Sequence, residues 1–111
     1  MKLRYTPEAI SDLQGIRKYI KVTLRNSQAA ARIPKMILDH CAGLKEFPES
    51  GVSLAALTGY ETDLRMLVCG HFLALYRIDQ DAVSVARIIN ARQDYMRILL
   101  HGTDIGPADD Q

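Results

Sequence analysis

Tryptophan is absent from these 111 residues, aromatics make up only 6%, and there are just two cysteines and four prolines. Cys41 and Cys69 supply neither a disulfide framework nor a four-ligand metal site, and their spacing fits no CxxC redox pair. Both lie in apolar runs and read as small buried hydrophobes. No apolar run approaches the roughly 18 residues of a transmembrane helix, and the first residues lack the apolar core of a signal peptide. The expectation is a cytosolic chain with reduced thiols and no membrane partner. An excess of basic charge is also missing: 14 Lys and Arg against 13 Asp and Glu leave a net charge of +1. That near-neutral sum disfavours strong nonspecific binding to nucleic acid. The sequence carries no P-loop, GxGxxG, HExxH or Ser-His-Asp signal, and no cofactor or metal is expected.

What is present suits one globular domain, with 48% hydrophobic and 24% charged residues. A chain of this size buries about two-thirds of its unfolded surface and needs no metal or disulfide to hold a core. The expected domain spans 1–102, followed by an acidic tail, 103–111, that should fray. Charge is unevenly placed. Residues 1–46 hold nine Lys/Arg and four Asp/Glu, whereas 47–111 hold five and nine, so the front is +5 and the rest −4.

Hydrophobic periodicity then orders the elements. Residues 2–5 alternate as a short strand. Thr6 followed by Pro7 is a helix start, with a hydroxyl cap and proline at the first helical position. Ala9, Ile10, Leu13, Ile16, Ile20 and Leu24 form one apolar stripe, predicting a helix over 7–25. Its opposite flank carries Lys18, Lys21 and Arg25. Asn26-Ser27 opens a second helix to about residue 46, with apolar face Ala30, Ile33, Ile37, Cys41, Leu44 and Phe47. Pro34 lies inside it, predicting a kink near 30–34. The short connection makes the two helices an antiparallel hairpin. Residues 52–63 read as a loop, with Gly59 in a tight turn. Runs 64–68, 72–78 and 82–89 then carry strand composition and form a meander. Asp94 caps a short last helix, 95–101. The fold class is α+β, β–αα–βββ–α, with a mainly antiparallel sheet packed on the hairpin. The place of the first strand in that sheet is not decided by the pattern.

Candidate chemistry rests on arginines. Arg65, Arg77, Arg87 and Arg92 lie on or just after strands. They either grip phosphate through bidentate forks or pair with nearby Asp63, Asp79, Asp81 or Asp94. His71, His101 and His40 show no partner at catalytic spacing and read as surface or satisfied histidines. Tyr76 and Tyr95 read either as half-buried tyrosines or as proton-transfer groups. Lys18, Lys21 and Arg25 are either a solvated face or a docking stripe for an acidic partner.

Three segments in order carry a family resemblance. Tyr5-Thr6-Pro7-Glu8-Ala9, with Asp12-Leu13, Ile16 and Tyr19-Ile20, is similar to the opening of RelE/ParE superfamily toxins. Leu44-Lys45-Glu46-Phe47-Pro48-Glu49-Ser50-Gly51 resembles their helix-to-loop signature. Leu64-Arg65, Phe72 to Ile78, and the run from Val83 through Arg92, Asp94 and Tyr95 to Leu99-Leu100 resemble their last strands and exit. The resemblance covers roughly 3–100 and implies the toxin of a type II toxin–antitoxin module, with the architecture derived above. It implies neutralisation by a cognate acidic antitoxin, and a homodimer or a toxin–antitoxin hetero-oligomer.

The family divides by activity. RelE- and YoeB-type members cleave messenger RNA on the ribosome; ParE-type members poison DNA gyrase. Residues 48–63 contain no Lys or Arg, where the nuclease branch has a basic loop. Leu73 stands where that branch carries an arginine, and Ile98 near its C-terminal catalytic aromatic. The expectation is therefore a ParE-like gyrase poison without catalytic residues. Lys18, Lys21, Arg25 and Arg92 are its candidate partner-binding residues. The alternative is a ribosome-dependent endoribonuclease using Arg65, Arg77, Arg92, Tyr95 and His71. A third reading is a non-toxic binding or regulatory member.

Overall fold

A computed structural model describes residues 1–91. The expected last helix (95–101), its cap Asp94 and the 103–111 tail lie outside the described residues.

Strand β1 (Lys2–Tyr5) leads into α1 (Pro7–Lys18). The start is as the sequence predicts: Thr6 Oγ1 accepts the Ala9 amide at 3.1 Å, and Pro7 needs no donor. The helix does not run on as α to Arg25. Residues Tyr19–Thr23 form a wider π turn, in which the Leu24 amide reaches the Tyr19 carbonyl at 3.2 Å. Arg25 then adopts a left-handed φ of 52°. The wider turn alters the phase of the stripe, so Ile20 stays buried while Leu24 is exposed. Ile10, on the flank of the stripe, is exposed as well.

Helix α2 (Ser27–Ala42) is capped by the Asn26 side chain on the Ala29 amide and continues through Pro34. A 3₁₀ turn, Gly43–Lys45, ends it. Ala30, Ile37, Cys41 and Leu44 face inward as expected, but Phe47, past that turn, is 66% exposed.

The expected 52–63 loop holds two elements, β2 (Val52–Ser53) and α3 (Leu54–Thr58). Ser53 caps α3 through the Ala56 amide, Leu54 is fully buried, and Gly59 closes the helix at φ 81°. The meander follows as β3 (Arg65–Cys69), β4 (Phe72–Asp79) and β5 (Ala82–Asn90), joined by two-residue links.

Strand order is β1-β5-β4-β3-β2. All pairings are antiparallel except that of β1, which runs parallel to β5 from Lys2↔Ala82 to Tyr5↔Val85. Side chains of β4 alternate between two cores. Ala74 and Tyr76 join Ala9, Ile37 and Cys41 beneath the helices, while Leu73 and Leu75 join Leu54, Leu64, Met66 and Ile89.

Candidate functional site

One structural feature organises the end of the sheet. Leu75 pairs with Arg87 but Tyr76 pairs with Val85, so Ala86 is an extra residue in β5. This bulge resets the alternation: Val83 and Val85 face the helices before it, and Ile88 after it. Beyond Tyr5, β1 has ended, and α1 takes over the edge of β5. The Thr6 hydroxyl donates to the Ala86 carbonyl at 2.8 Å. Asp12 accepts the Ile88 amide at 2.9 Å. The same carboxylate takes a bidentate fork from Arg87, at 2.8 Å from Nε and 3.1 Å from Nη2. Two side chains at the start of α1 thus extend the backbone ladder that β1 leaves unfinished. Arg87, expected either to grip phosphate or to pair with a neighbouring strand aspartate, is held instead by a helix residue 75 positions away.

Between this α1–β5 junction and the π turn lies a groove of about 860 Å³. Its apolar lining includes Ile16, Ile20, Ile33, Phe72 and Ile88, and its polar lining includes Asp12, Asn26 and Arg87. The π turn contributes Tyr19, which is 55% exposed, and Leu24 follows immediately after the turn. Lys18, Lys21 and Arg25 are exposed, and each adjoins a groove residue in sequence. Among the described residues none of the three forms an ion pair, whereas Lys35 is spent on Asp39 at 2.9 Å. Arg25, however, is no longer on the helix with Lys18.

Among the described residues the remaining candidates do not gather in one place. Arg65 turns its Nη2 into the 46–51 segment, donating to the Gly51 carbonyl at 2.7 Å and the Glu49 carbonyl at 3.1 Å. Its Nε is buried without a partner among the described residues. Tyr76, fully buried, fastens the same segment: its hydroxyl donates to the Pro48 carbonyl at 2.7 Å and accepts the Gly51 amide at 3.0 Å. Gly51 is obligatory there, because a Cβ would stand 2.6 Å from the Tyr76 hydroxyl and 2.8 Å from the Met66 carbonyl. Arg77 Nε pairs with Asp63 at 3.1 Å, in keeping with one of the two sequence readings. His71 is exposed in the β3–β4 link, at the opposite end of that hairpin from Arg65 and Arg77. Five residues of strand separate Arg77 from that end, about 17 Å at 3.3 Å per residue. Arg92 and Tyr95 lie outside the described residues. His40 is exposed and its Nδ1 sits 2.9 Å from the Met36 carbonyl one turn back.

One cluster escaped the sequence reading. Cys41 and Cys69, which read separately as small hydrophobes, meet in the core, and the Tyr5 hydroxyl joins them. The bond from Cys69 holds the Cys41 thiol below its ordinary pKa against the opposing effect of burial. The bond to Cys41, and then burial, push Cys69 up; burial, and then Cys41, push Tyr5 up. No spacing rule links residues 28 apart on a helix and a strand.

Among the described residues the arrangement is a groove with an apolar floor and polar edges, and the reactive candidates do not converge on it. No group of three or more metal-ligating side chains occurs among the described residues. No helix among them is long and apolar enough to cross a membrane. Comparison with known proteins agrees with the architecture. The family described as the ParE toxin of the type II toxin–antitoxin system parDE matches residues 3–95. A chain of the solved chromosomal ParDE TA system from P. aeruginosa superposes with a TM-score of 0.68 at 22% identity, over 81% of this chain and 95% of that one. YafQ from E. coli strain BL21(DE3) gives a TM-score of 0.46 at 12% identity, over 86% of this chain and 96% of that one. No curated protein matches the sequence.

Proposed function

This chain belongs to the ParE toxin family of type II toxin–antitoxin systems, and from that premise we propose that it acts in the cytoplasm by binding and poisoning DNA gyrase. The observation that carries this choice is the engagement of the strand arginines. A ribonuclease must keep cationic donors free for a crowded phosphate, each worth about 3–4 kcal/mol at the transition state. Arg65 instead serves two backbone carbonyls, and Arg77 serves Asp63. His71 is remote from both. These placements favour a toxin that works by surface complementarity over one that cleaves.

Neutralisation in this reading is occupation of the groove by the amphipathic segment of an acidic antitoxin. Its apolar side chains would cover Ile16, Ile20, Ile33 and Phe72. Its carboxylates would meet Lys18, Lys21 and Arg25, which have no internal ion pair among the described residues to give up. Arg92 completes the proposed partner-binding set.

Purified toxin should block gyrase supercoiling at stoichiometric ratio and leave messenger RNA on translating ribosomes uncut by primer extension. Unaffected supercoiling together with codon-positioned cuts would reverse the assignment. Normal growth at high soluble expression without any antitoxin would instead indicate a non-toxic binding member.

A further inference from the structure

The 46–51 segment presents an aromatic ring to solvent on a tightly pinned backbone. Phe47 is 66% exposed, although it lies between the end of the second helix and a strand of the sheet. Its amide donates to the Gly43 carbonyl at 2.9 Å. Its carbonyl accepts the Ser50 amide at 3.1 Å, closing a turn with Pro48 in second position. The buried Tyr76 hydroxyl fixes Pro48 and Gly51, and Arg65 fixes the carbonyls of Glu49 and Gly51. All this anchoring serves a segment whose largest apolar side chain stays outside. A ring held in this way loses little conformational freedom when a partner covers it. Exposed aromatic anchors of this kind carry much of the binding energy at protein interfaces.

The surroundings of the ring are acidic. Glu46 and Glu49 flank it, are exposed, and form no ion pair among the described residues. Residues 46–63 hold Glu46, Glu49, Glu61 and Asp63 and no Lys or Arg. The groove has the reverse character. Its floor is apolar at Ile16, Ile20, Ile33 and Phe72, and Lys18, Lys21 and Arg25 are exposed beside it. The two patches belong to opposite ends of the sheet. The Met1 amino group donates to the Lys45 carbonyl at 3.1 Å, next to the Lys2↔Ala82 start of the β1–β5 pair, whereas Asn90 lines the groove. Ala82 and Asn90 bound β5 and stand about 26 Å apart at roughly 3.3 Å per residue. The pinned loop therefore cannot reach the groove of its own chain, but it can reach that of another.

We propose that the groove takes the Phe47 loop of a second copy of this chain, so that the free toxin associates with itself. The ring covers the apolar floor, and Glu46 and Glu49 meet Lys18, Lys21 and Arg25. Reciprocal exchange, with each loop in the other's groove, satisfies both copies and closes a two-fold dimer. Patches this small make a transient contact, and rim charges make it sensitive to salt. An acidic antitoxin segment in the groove excludes the loop, so neutralisation and self-association are alternatives. The contact is independent of the macromolecule that the toxin attacks.

Sedimentation velocity of the full purified chain, from about 5 to 500 µM, tests it. At about 50 mM salt the average mass should rise with concentration from monomer toward dimer, and at about 500 mM pairing should weaken at least about 3-fold. Phe47→Ala should weaken pairing about tenfold or more. Glu46→Lys with Glu49→Lys should leave a monomer, and so should Lys18→Glu with Lys21→Glu. An equimolar mixture of these two charge-reversed variants should pair again, because each loop then meets a rim of opposite sign. All five side chains are exposed, so the variants should keep the fold, which an unchanged thermal midpoint checks. A monomer across the whole range at low salt would overturn the proposal. So would a dimer that these substitutions leave unchanged, or a mixture that stays monomeric.

Discussion

Replacing Asp12 with alanine should loosen the docking of α1 on the sheet more than any other single change at a polar residue of that helix. The carboxylate accepts three hydrogen bonds, two from Arg87 and one from the Ile88 amide, and joins positions 75 and 76 residues apart. The pair is mostly shielded, with side-chain exposures of 26% for Arg87 and 17% for Asp12. Exposed ion pairs contribute about 0.2–1 kcal/mol, and breaking a fully buried one costs about 3–5 kcal/mol. Partial solvent screening places this pair between those limits. The Ile88 amide adds a cost, since a shielded donor deprived of its acceptor costs about 1–3 kcal/mol. A loss of about 2–4 kcal/mol follows. For a domain of this size that lowers the thermal midpoint by about 10–20 °C. Urea denaturation of Asp12→Ala, Arg87→Ala and the double variant measures it directly. The two single losses should together exceed the double loss by about 1–3 kcal/mol, the coupling of residues in one network. A change within about 0.5 kcal/mol for Asp12→Ala, the range of an ordinary surface substitution, or additivity in the cycle, would refute the idea that α1 completes the edge of β5.

Three further outcomes follow from the same structure. Tyr76→Phe keeps the ring but strands the Pro48 carbonyl and the Gly51 amide; it should cost about 1–3 kcal/mol and speed hydrogen exchange at Gly51. Cys69 has a raised folded pKa, so its contribution is intact below the unfolded thiol value of about 8.5 and is lost above it. In that window the unfolded chain releases a proton that the folded chain keeps. Stability should fall by about 1.4 kcal/mol per pH unit from this group. Cys41 is held low chiefly by its bond from Cys69, so the two thiols are best removed together. Chemical denaturation between about pH 9 and 10.5 should therefore show a shallower decline for the Cys41→Ala, Cys69→Ala double variant, corresponding to about one proton fewer released on unfolding. Finally, Lys18→Glu with Lys21→Glu should slow association with an acidic antitoxin roughly 3- to 10-fold at low salt and change dissociation little. An unchanged, salt-insensitive association rate in stopped flow would make the stripe a solvated face.

Local chemistry in the sequence was enough to determine the elements that rest on it. Thr6-Pro7 and Asn26 mark helix starts because capping is satisfied within three residues. The β3–β5 meander is legible because strand alternation and two-residue links are short-range. Gly59 is legible because only a residue without a side chain sits easily at its φ. The nearly neutral charge, split between a basic front and an acidic remainder, offered Lys18, Lys21 and Arg25 as a solvated face or a docking stripe, and only the structure sets them beside a groove. What tertiary structure alone decided are contacts between distant positions. The parallel seat of β1 beside β5 depends on which edge the helical hairpin leaves open. β2 and α3 form where Leu54 finds the second core, although their residues read as loop. The π turn, with no distinguishing pattern, moves Leu24 outward and takes Arg25 off the helix. The Ala86 bulge aims Arg87 at Asp12, and the meeting of Cys41 with Cys69 needs α2 to lie across β3. Such pairings leave no periodicity behind, because each is fixed by where two elements pack and not by the spacing of residues along either one.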